Sequence, residues 1–297
     1  MNADNQLYVR LTSRCNLACT FCRAKDAMCA SVDDRGTQLS AIEELLNKKE
    51  FPFVVWSGGE PLLSFKQLQA ARMVIKASGK RVDESLVTNG YHLKAYMFKE
   101  LNEMNHIEIS IDGYSKECSE RSLERLLLAR NYDLFSFIEQ SKTTVITSVI
   151  TKERLQSYEW HRDLIRMYTC IAPLLPTTFS LSLDENYPGP MTTDEMVNFV
   201  MGLDEIEAFL SAEGIKRKAR FQLELKRIVN TKCVDCDRYF TVESDGTVTQ
   251  ETSAPDVGVD GCSKLAGAIG AEAYRYLQSW QAAGEARENE SRTGSHE

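Results

Sequence analysis

The sequence predicts an α/β fold in which parallel strands alternate with helices and form an open or closed barrel. Six short runs rich in β-forming residues are each followed by a run with helical spacing, a pattern typical of parallel pairing with right-handed crossovers. The strand runs are apolar, as expected when both faces of a sheet are buried. Polar motifs follow several strands, at the sheet edge where such folds place their sites.

The elements follow from periodicity and turn signals. The predicted strands, some with the turn that ends them, cover 7–12, 53–61, 84–90, 106–113, 143–151 and 177–183. The predicted helices cover 39–49, 64–79, 91–104, 119–130, 154–168 and 193–213. Ser40 is a plausible cap of the first helix, and Gly79 ends the second. The six strands and the first five helices account for residues 1–190 as one domain, and the helix at 193–213 follows it.

The C-terminal part has a different pattern. Two β-rich runs flank Asp245-Gly246 within 233–251, which predicts a hairpin. A helix is predicted at 271–282, and the polar tail 283–297 is predicted to be disordered. We therefore divide the chain into a barrel (1–190), linking helices (191–230), a small hairpin-and-helix extension (231–282) and the tail.

Composition excludes several classes of protein. The 297 residues include 35 basic and 43 acidic side chains, a net charge of −8, which argues against a nucleic-acid partner. No apolar run approaches the roughly 18 residues of a membrane span, and the N-terminal residues lack the apolar core of a signal peptide. We expect a reduced, cytoplasmic protein in which clustered cysteines indicate metal rather than disulfides.

Three of the nine cysteines lie close together after the first predicted strand. Cys15, Cys19 and Cys22 form a C-x3-C-x2-C pattern. Thiolates bind soft metals, and three of them can ligate three irons of a 4Fe–4S cluster and leave the fourth iron open. Structural zinc normally takes four ligands, so this pattern would leave zinc one short. Three buried thiols without metal are the remaining reading.

Several motifs in order resemble those of the radical S-adenosylmethionine (SAM) superfamily, over roughly residues 6 to 185. Phe21 matches the aromatic residue before the third cysteine, "SGGEP" (57–61) resembles the GGEP motif, and "TNG" (88–90) and "SIDG" (110–113) resemble strand-end segments. The resemblance implies a partial (β/α)6, TIM-like barrel. It also implies SAM contacts from Phe21, Ser57, Gly58, Gly59, Glu60, Thr88, Asn89 and Ser110.

The resemblance implies radical chemistry at a 4Fe–4S cluster held by the three clustered cysteines. SAM would chelate the open iron, and an external one-electron reductant such as flavodoxin or ferredoxin would supply the electron. Cleavage would give a 5′-deoxyadenosyl radical that abstracts a hydrogen atom from a small-molecule or peptide substrate. Gly58 and Gly59 would allow close backbone approach to a ligand, and Glu60 could pair with an ammonium group.

The extension resembles the twitch or SPASM module, in which a hairpin and a helix hold auxiliary iron–sulfur clusters. Cys233, Cys236 and Cys262 allow one such cluster at most, and Glu251 stands where the module's pattern has a later cysteine. Glu251 could be the fourth ligand, or the fourth iron could be open. A zinc site and a module without metal remain as alternatives.

The reaction type is left open. An auxiliary cluster favours oxidation or cross-link formation. A redox-neutral epimerase would instead need a thiol hydrogen donor, for which Cys118 and Cys170 are candidates, and Asp112 could touch substrate or only cap its turn. An activase that forms a glycyl radical on a partner protein and a non-catalytic, zinc-binding scaffold are further alternatives. Buried structural thiols are the default interpretation of Cys29, Cys118 and Cys170.

Overall fold

A parallel sheet forms the centre of the molecule. The computed structural model describes residues 6–22, 33–117, 119–141, 143–157, 159–171, 178–183, 192–212, 220–223 and 239–251. Within these ranges the strands are β1 (Gln6–Arg10), β2 (Phe53–Ser57), β3 (Asp83–Thr88), β4 (His106–Ser110), β5 (Thr144–Ile150), β6 (Thr178–Leu183), β7 (Arg220–Leu223), β8 (Tyr239–Val242) and β9 (Val248–Glu251).

These strands pair in the order β7-β6-β5-β4-β3-β2-β1-β8-β9. Every neighbouring pair is parallel except β8 and β9, which are antiparallel. The sheet does not close among the described residues, so the architecture is a partial, TIM-like barrel, as the sequence predicts. Parallel order also brings the carboxyl ends of β1 to β6 to one edge.

Helices cover the outer face of the sheet. They are α1 (Arg35–Lys48), α2 (Phe65–Ala77), α3 (Phe98–Leu101), α4 (Leu123–Leu128), α5 (Tyr132–Gln140), α6 (Lys152–Leu155), α7 (Trp160–Ile171) and α8 (Thr193–Ala212). The core lies between these helices and the sheet: Ile107, Ile109, Ile146 and Phe179 are fully buried. The ring of Tyr168 on α7 packs on Phe179 at 4.3 Å between centroids.

Several helix boundaries differ from those predicted. Helix α1 begins at Arg35, and Asp34 rather than Ser40 caps it by accepting a hydrogen bond from the Thr37 amide at 3.1 Å. The predicted helices 91–104 and 154–168 are each interrupted, and α5 was not predicted. Tertiary packing decides such short segments more than local propensity does.

The C-terminal hairpin is part of the main sheet. Strands β8 and β9 flank Gly246, whose φ of 85° suits a tight turn, as the sequence predicts. However, β8 also pairs in parallel with β1, and Arg10 forms an ion pair with Glu243 at 3.0 Å. Within the predicted linking segment, α8 is followed by the unpredicted strand β7. Among the described residues, no helix is long and apolar enough to cross a membrane.

Candidate active site

The loop that carries Cys15 is fixed by an extension of the β1–β2 pairing. The amide of Leu11 donates to the Ser57 carbonyl at 2.9 Å, and the amides of Gly59 and Glu60 donate to the carbonyls of Thr12 and Arg14 at 2.8 Å each. The "SGGE" turn and the start of the cysteine loop are therefore hydrogen-bonded side by side at the carboxyl edge of the sheet.

This close pairing explains both glycines of the turn. A Cβ on Gly59 would lie 2.2 Å from the Arg14 carbonyl oxygen, and a Cβ on Gly58 would lie 2.6 Å from the Thr12 carbonyl oxygen. Gly58 also has a φ of 133°. The sequence suggested that these glycines make room for a ligand. The structure shows that they make room for the backbone that leads to Cys15, and close approach to a ligand stays a prediction.

The carboxylate of Glu60 joins the end of β2 to the end of β3. Glu60 is 1% exposed and accepts hydrogen bonds from the Leu62 amide (3.0 Å), the Thr88 hydroxyl (2.6 Å) and the Asn89 amide (2.8 Å). Burial raises the pKa of Glu60, although these hydrogen bonds oppose that change. Its carboxylate therefore already has three protein donors.

Asn89 connects β3 to the cysteine loop. Its side-chain nitrogen donates to the Asn16 side-chain oxygen at 2.8 Å and lies 3.8 Å from the Cys15 sulfur. Its side-chain oxygen accepts from the Tyr91 amide at 3.0 Å. The "TNG" motif after β3 and the cysteine loop after β1 thus meet at one point, as their shared position at the carboxyl edge of the sheet predicted, although β2 lies between the two strands.

The three clustered thiols are partly buried. Burial raises the pKa of Cys15, and it raises the pKa of Cys19 to about 11. The charges of Glu60 and Cys22 raise the pKa of Cys15 further. The charges of Asp112, Cys22 and Cys15 raise the pKa of Cys19 further, while the charge of Arg121 opposes the change at Cys19. Thiolates in this loop need a compensating cation, and coordination to metal deprotonates a thiol outright. The donor set therefore fits an iron–sulfur cluster.

A single metal ion, unlike an iron–sulfur cluster, needs several ligands placed around one point. Among the described residues, no group of three His, Cys, Asp or Glu side chains is placed to hold one ion. An iron–sulfur cube instead spreads its thiolates over several irons. The Cys15–Cys22 loop is turned back on itself, since the Cys22 amide donates to the Cys19 carbonyl at 3.3 Å.

The side-chain carboxylate of Asp112 is fully engaged by neighbouring protein groups. It is 1% exposed and forms a bidentate pair with Arg121, with Nε–Oδ2 and Nη2–Oδ1 distances of 2.9 and 2.7 Å. It also accepts from the Ser119 hydroxyl at 2.6 Å and the Val149 amide at 3.0 Å. Arg121, which the sequence analysis did not single out, extends over the Phe21 ring at 4.7 Å from the centroid.

Buried hydroxyls lie in register across three strands. Ser110 pairs with Thr147, and Thr147 pairs with Ser180, so the three share one face of the sheet. Their neighbours in each strand, such as Phe179, face the helices, so this row lies on the opposite, inner face. Ser110, Thr147 and Ser180 are 6%, 5% and 0% exposed, and the last two hydroxyls have no hydrogen-bond partner.

Sequence reasoning missed Thr147 and Ser180. Ser180 belongs to the polar–apolar alternation of "TFSLSL" in β6, which is the signal that could have identified it, whereas Thr147 stands next to Ser148 in β5 and has no such signal. Buried hydroxyls without partners are uncommon in folded proteins.

Other predicted residues lie elsewhere or outside the described residues. Cys170 is exposed near the C-terminal end of α7. That helix packs on the outer face, so this placement does not support a hydrogen-donor role inside the barrel. Glu251 ends β9. The remaining predicted cysteines, Cys29, Cys118, Cys233, Cys236 and Cys262, lie outside the described residues, as do the helix at 271–282 and the tail.

Comparison with known proteins agrees with this geometry. Residues 9–145 match the family model of the radical SAM superfamily. The GTP 3′,8-cyclases of Lactiplantibacillus plantarum and Limosilactobacillus fermentum are each 32% identical over 117 residues, which cover 37% of this chain. An uncharacterized protein of Methanocaldococcus jannaschii, MJ0907, is 29% identical over 110 residues. The matched segments span only 35% to 38% of these relatives.

Solved structures share the fold over most of the chain. The structure of native anSMEcpe with bound AdoMet and Cp18Cys peptide has a TM-score of 0.59 at 16% identity and covers 88% of this chain and 82% of its own. Streptococcus suis SuiB bound to precursor peptide SuiA has a TM-score of 0.55 at 16% identity, covering 87% and 65%. The family-model match assigns residues 9–145 to the radical SAM superfamily, and the solved structures, at 16% identity, show the shared fold.

Proposed function

We propose that this protein is a radical SAM enzyme that cleaves SAM reductively and abstracts a hydrogen atom from a polar small-molecule or peptide substrate. The observation that carries the proposal is the cysteine loop at the carboxyl edge of the sheet. Its three partly buried thiols lie beside the "SGGE" turn and Asn89. No other described segment combines soft metal ligands with strand-end polar groups in this way.

Cys15, Cys19 and Cys22 would hold a 4Fe–4S cluster. When bound, the cluster and SAM supply a one-electron cleavage that yields a hydrogen-abstracting 5′-deoxyadenosyl radical. The protein's own residues position and enclose this chemistry. Glu60 fixes the relative position of the β2 and β3 ends, and Asn89 holds the loop at Asn16. Ser57, Gly58, Gly59, Thr88, Ser110 and Phe21 stay as proposed SAM contacts.

The inner face of the sheet favours a polar substrate. The unpartnered hydroxyls of Thr147 and Ser180 can each donate and accept one hydrogen bond to a ligand. A neutral polar group, such as a substrate hydroxyl or amide, matches them better than an apolar one, because a buried polar group without a partner is costly. Two neighbours in fold are described with bound peptides, which supports a peptide as one form of substrate.

Oxidation or cross-link formation is the outcome that we favour. It requires an acceptor for a second electron, and we assign this role to an auxiliary cluster held by Cys233, Cys236 and Cys262, with Glu251 as a possible fourth ligand. An external flavodoxin or ferredoxin would supply the first electron. The exposed position of Cys170 on α7 weakens the alternative of an epimerase that uses this thiol.

Cleavage of SAM tests the proposal. Anaerobically reconstituted protein is incubated with SAM and dithionite, and 5′-deoxyadenosine and methionine are measured by mass spectrometry. We expect both products from the wild type and from a Cys170→Ala control, and neither from the Cys15→Ala/Cys19→Ala/Cys22→Ala variant. Cluster-loaded wild type that forms no 5′-deoxyadenosine would refute the proposal.

A further inference from the structure

We propose that Arg121 is a positioning residue that holds Phe21 and sets the electrostatic field at the cysteine loop, so that it raises the reduction potential of the cluster bound there. This inference rests on the proposed function, because it requires a cluster at Cys15, Cys19 and Cys22. It concerns a residue that neither the motifs nor the comparisons assign.

The guanidinium of Arg121 has a fixed position. Its side chain is 15% exposed and is bound in bidentate fashion by Asp112, which is itself 1% exposed. The Val149 amide and the Ser119 hydroxyl hold the Asp112 carboxylate from other directions. A planar guanidinium held by two parallel hydrogen bonds has one orientation, and lysine cannot reproduce this geometry.

Phe21 links this guanidinium to the cysteine loop. The Arg121 guanidinium carbon lies 4.7 Å from the centroid of the Phe21 ring, within the range of a cation–π contact. Phe21 lies between Cys19 and Cys22 in the chain, in the turn closed by their backbone hydrogen bond. The contact therefore restrains the part of the loop that presents two of the three thiols.

The charge of Arg121 also acts on the thiols themselves. Electrostatic interaction joins Arg121 to both Cys19 and Cys22. The pair is neutral as a whole, but the Arg121 cation is the member that contacts Phe21, in the turn between Cys19 and Cys22. The Asp112 carboxylate is bound by Arg121 and also accepts hydrogen bonds from Ser119 and the Val149 amide.

The position of the Arg121 cation affects the reduction potential of a cluster in this loop. Reduction adds a negative charge to a cluster, and the net charge around a cluster is one of the factors that set its potential. Removal of the Arg121 cation should make reduction harder. Removal of the Asp112 charge, with Arg121 retained, should make reduction easier.

Four variants test the proposal: Arg121→Gln, Asp112→Asn, the double variant and Arg121→Lys. Each is loaded anaerobically, its iron content is measured, and its midpoint potential is obtained by EPR-monitored redox titration without SAM. We expect the potential of Arg121→Gln to shift to more negative values and that of Asp112→Asn to more positive values. The double variant should shift in the negative direction but less than Arg121→Gln, and Arg121→Lys should lie nearer to wild type than Arg121→Gln does.

The double variant keeps the test valid if Arg121→Gln does not fold, because it removes the unpaired buried carboxylate as well. A purely structural role would shift Arg121→Gln and Asp112→Asn in the same direction or in neither, and either result would overturn the inference. A wild-type protein that binds no iron would instead refute the proposed function itself, so the two failures are distinguishable.

Discussion

Glu60 provides a sharp test of how the site is built, because its carboxylate joins two strand ends through three hydrogen bonds. Replacement by alanine leaves the amides of Leu62 and Asn89 without their acceptor in a buried position. The Thr88 hydroxyl can rotate to another acceptor, but the two amides cannot. Since an unsatisfied buried donor costs roughly 1–3 kcal/mol, we expect Glu60→Ala to lower the free energy of unfolding by about 3 kcal/mol.

The assay is urea unfolding of the metal-free protein under reducing conditions, followed by anaerobic iron loading of each variant. Glu60→Gln keeps the size and one oxygen of the side chain but places an amide against a donor, and should lose less stability than Glu60→Ala. Glu44→Ala, on the exposed side of α1, is the surface control and should show no measurable change. A Glu60→Ala protein as stable as this control would refute the role we assign to Glu60.

Three further changes test the surrounding structure. Gly59→Ala should reduce iron loading severalfold, because its Cβ would meet a backbone carbonyl oxygen at 2.2 Å; Gly36→Ala, in α1, is the matched control and should load normally. Hydrogen bonds from Thr12 and Ser13 outweigh burial and lower the pKa of Asp33 below 3.8. The folded state therefore favours the ionised form of Asp33. This stabilises the fold fully above the pKa that Asp33 has in the unfolded chain, and the stabilisation is lost as pH falls through its pKa in the folded protein. Below about pH 4, the free energy of unfolding of Asp33→Asn should change less with pH than that of the wild type, and an identical pH dependence in the two proteins would contradict this. Arg72→Met leaves Glu84 buried without its cation and should cost about 3–5 kcal/mol in urea unfolding; a loss below about 1 kcal/mol would contradict the ion pair's role.

The first six strands could be predicted from the sequence because buried parallel strands leave a simple signal, short apolar runs separated by turn residues. The cysteine loop and its neighbours after β2 and β3 could be predicted as well, because parallel strands bring their carboxyl ends together. Strand β7 was not predicted. It is only four residues long, and its pairing with β6 depends on a partner distant in sequence.

Other features depend on contacts that no local pattern reveals. The hairpin was predicted, but its pairing with β1 joins residues more than two hundred positions apart. Gly58 and Gly59 were predicted to allow close approach of a ligand, and the structure adds their close packing against the backbone of Thr12 and Arg14, which no local pattern reveals. Asp112 was a candidate for substrate contact, whereas the structure binds it to Arg121. The tertiary fold decides which residue pairs with a buried charge, and sequence spacing alone does not identify it.

The central claim is that Cys15, Cys19 and Cys22 hold an iron–sulfur cluster, and iron and sulfide per chain test it most directly. The measurement compares anaerobically prepared wild type with Cys15→Ala/Cys19→Ala/Cys22→Ala. We predict a loss of about four irons in the triple variant, from about eight if the auxiliary cluster is present and from about four if it is absent. Equal iron in both proteins, or zinc in place of iron, would contradict the claim.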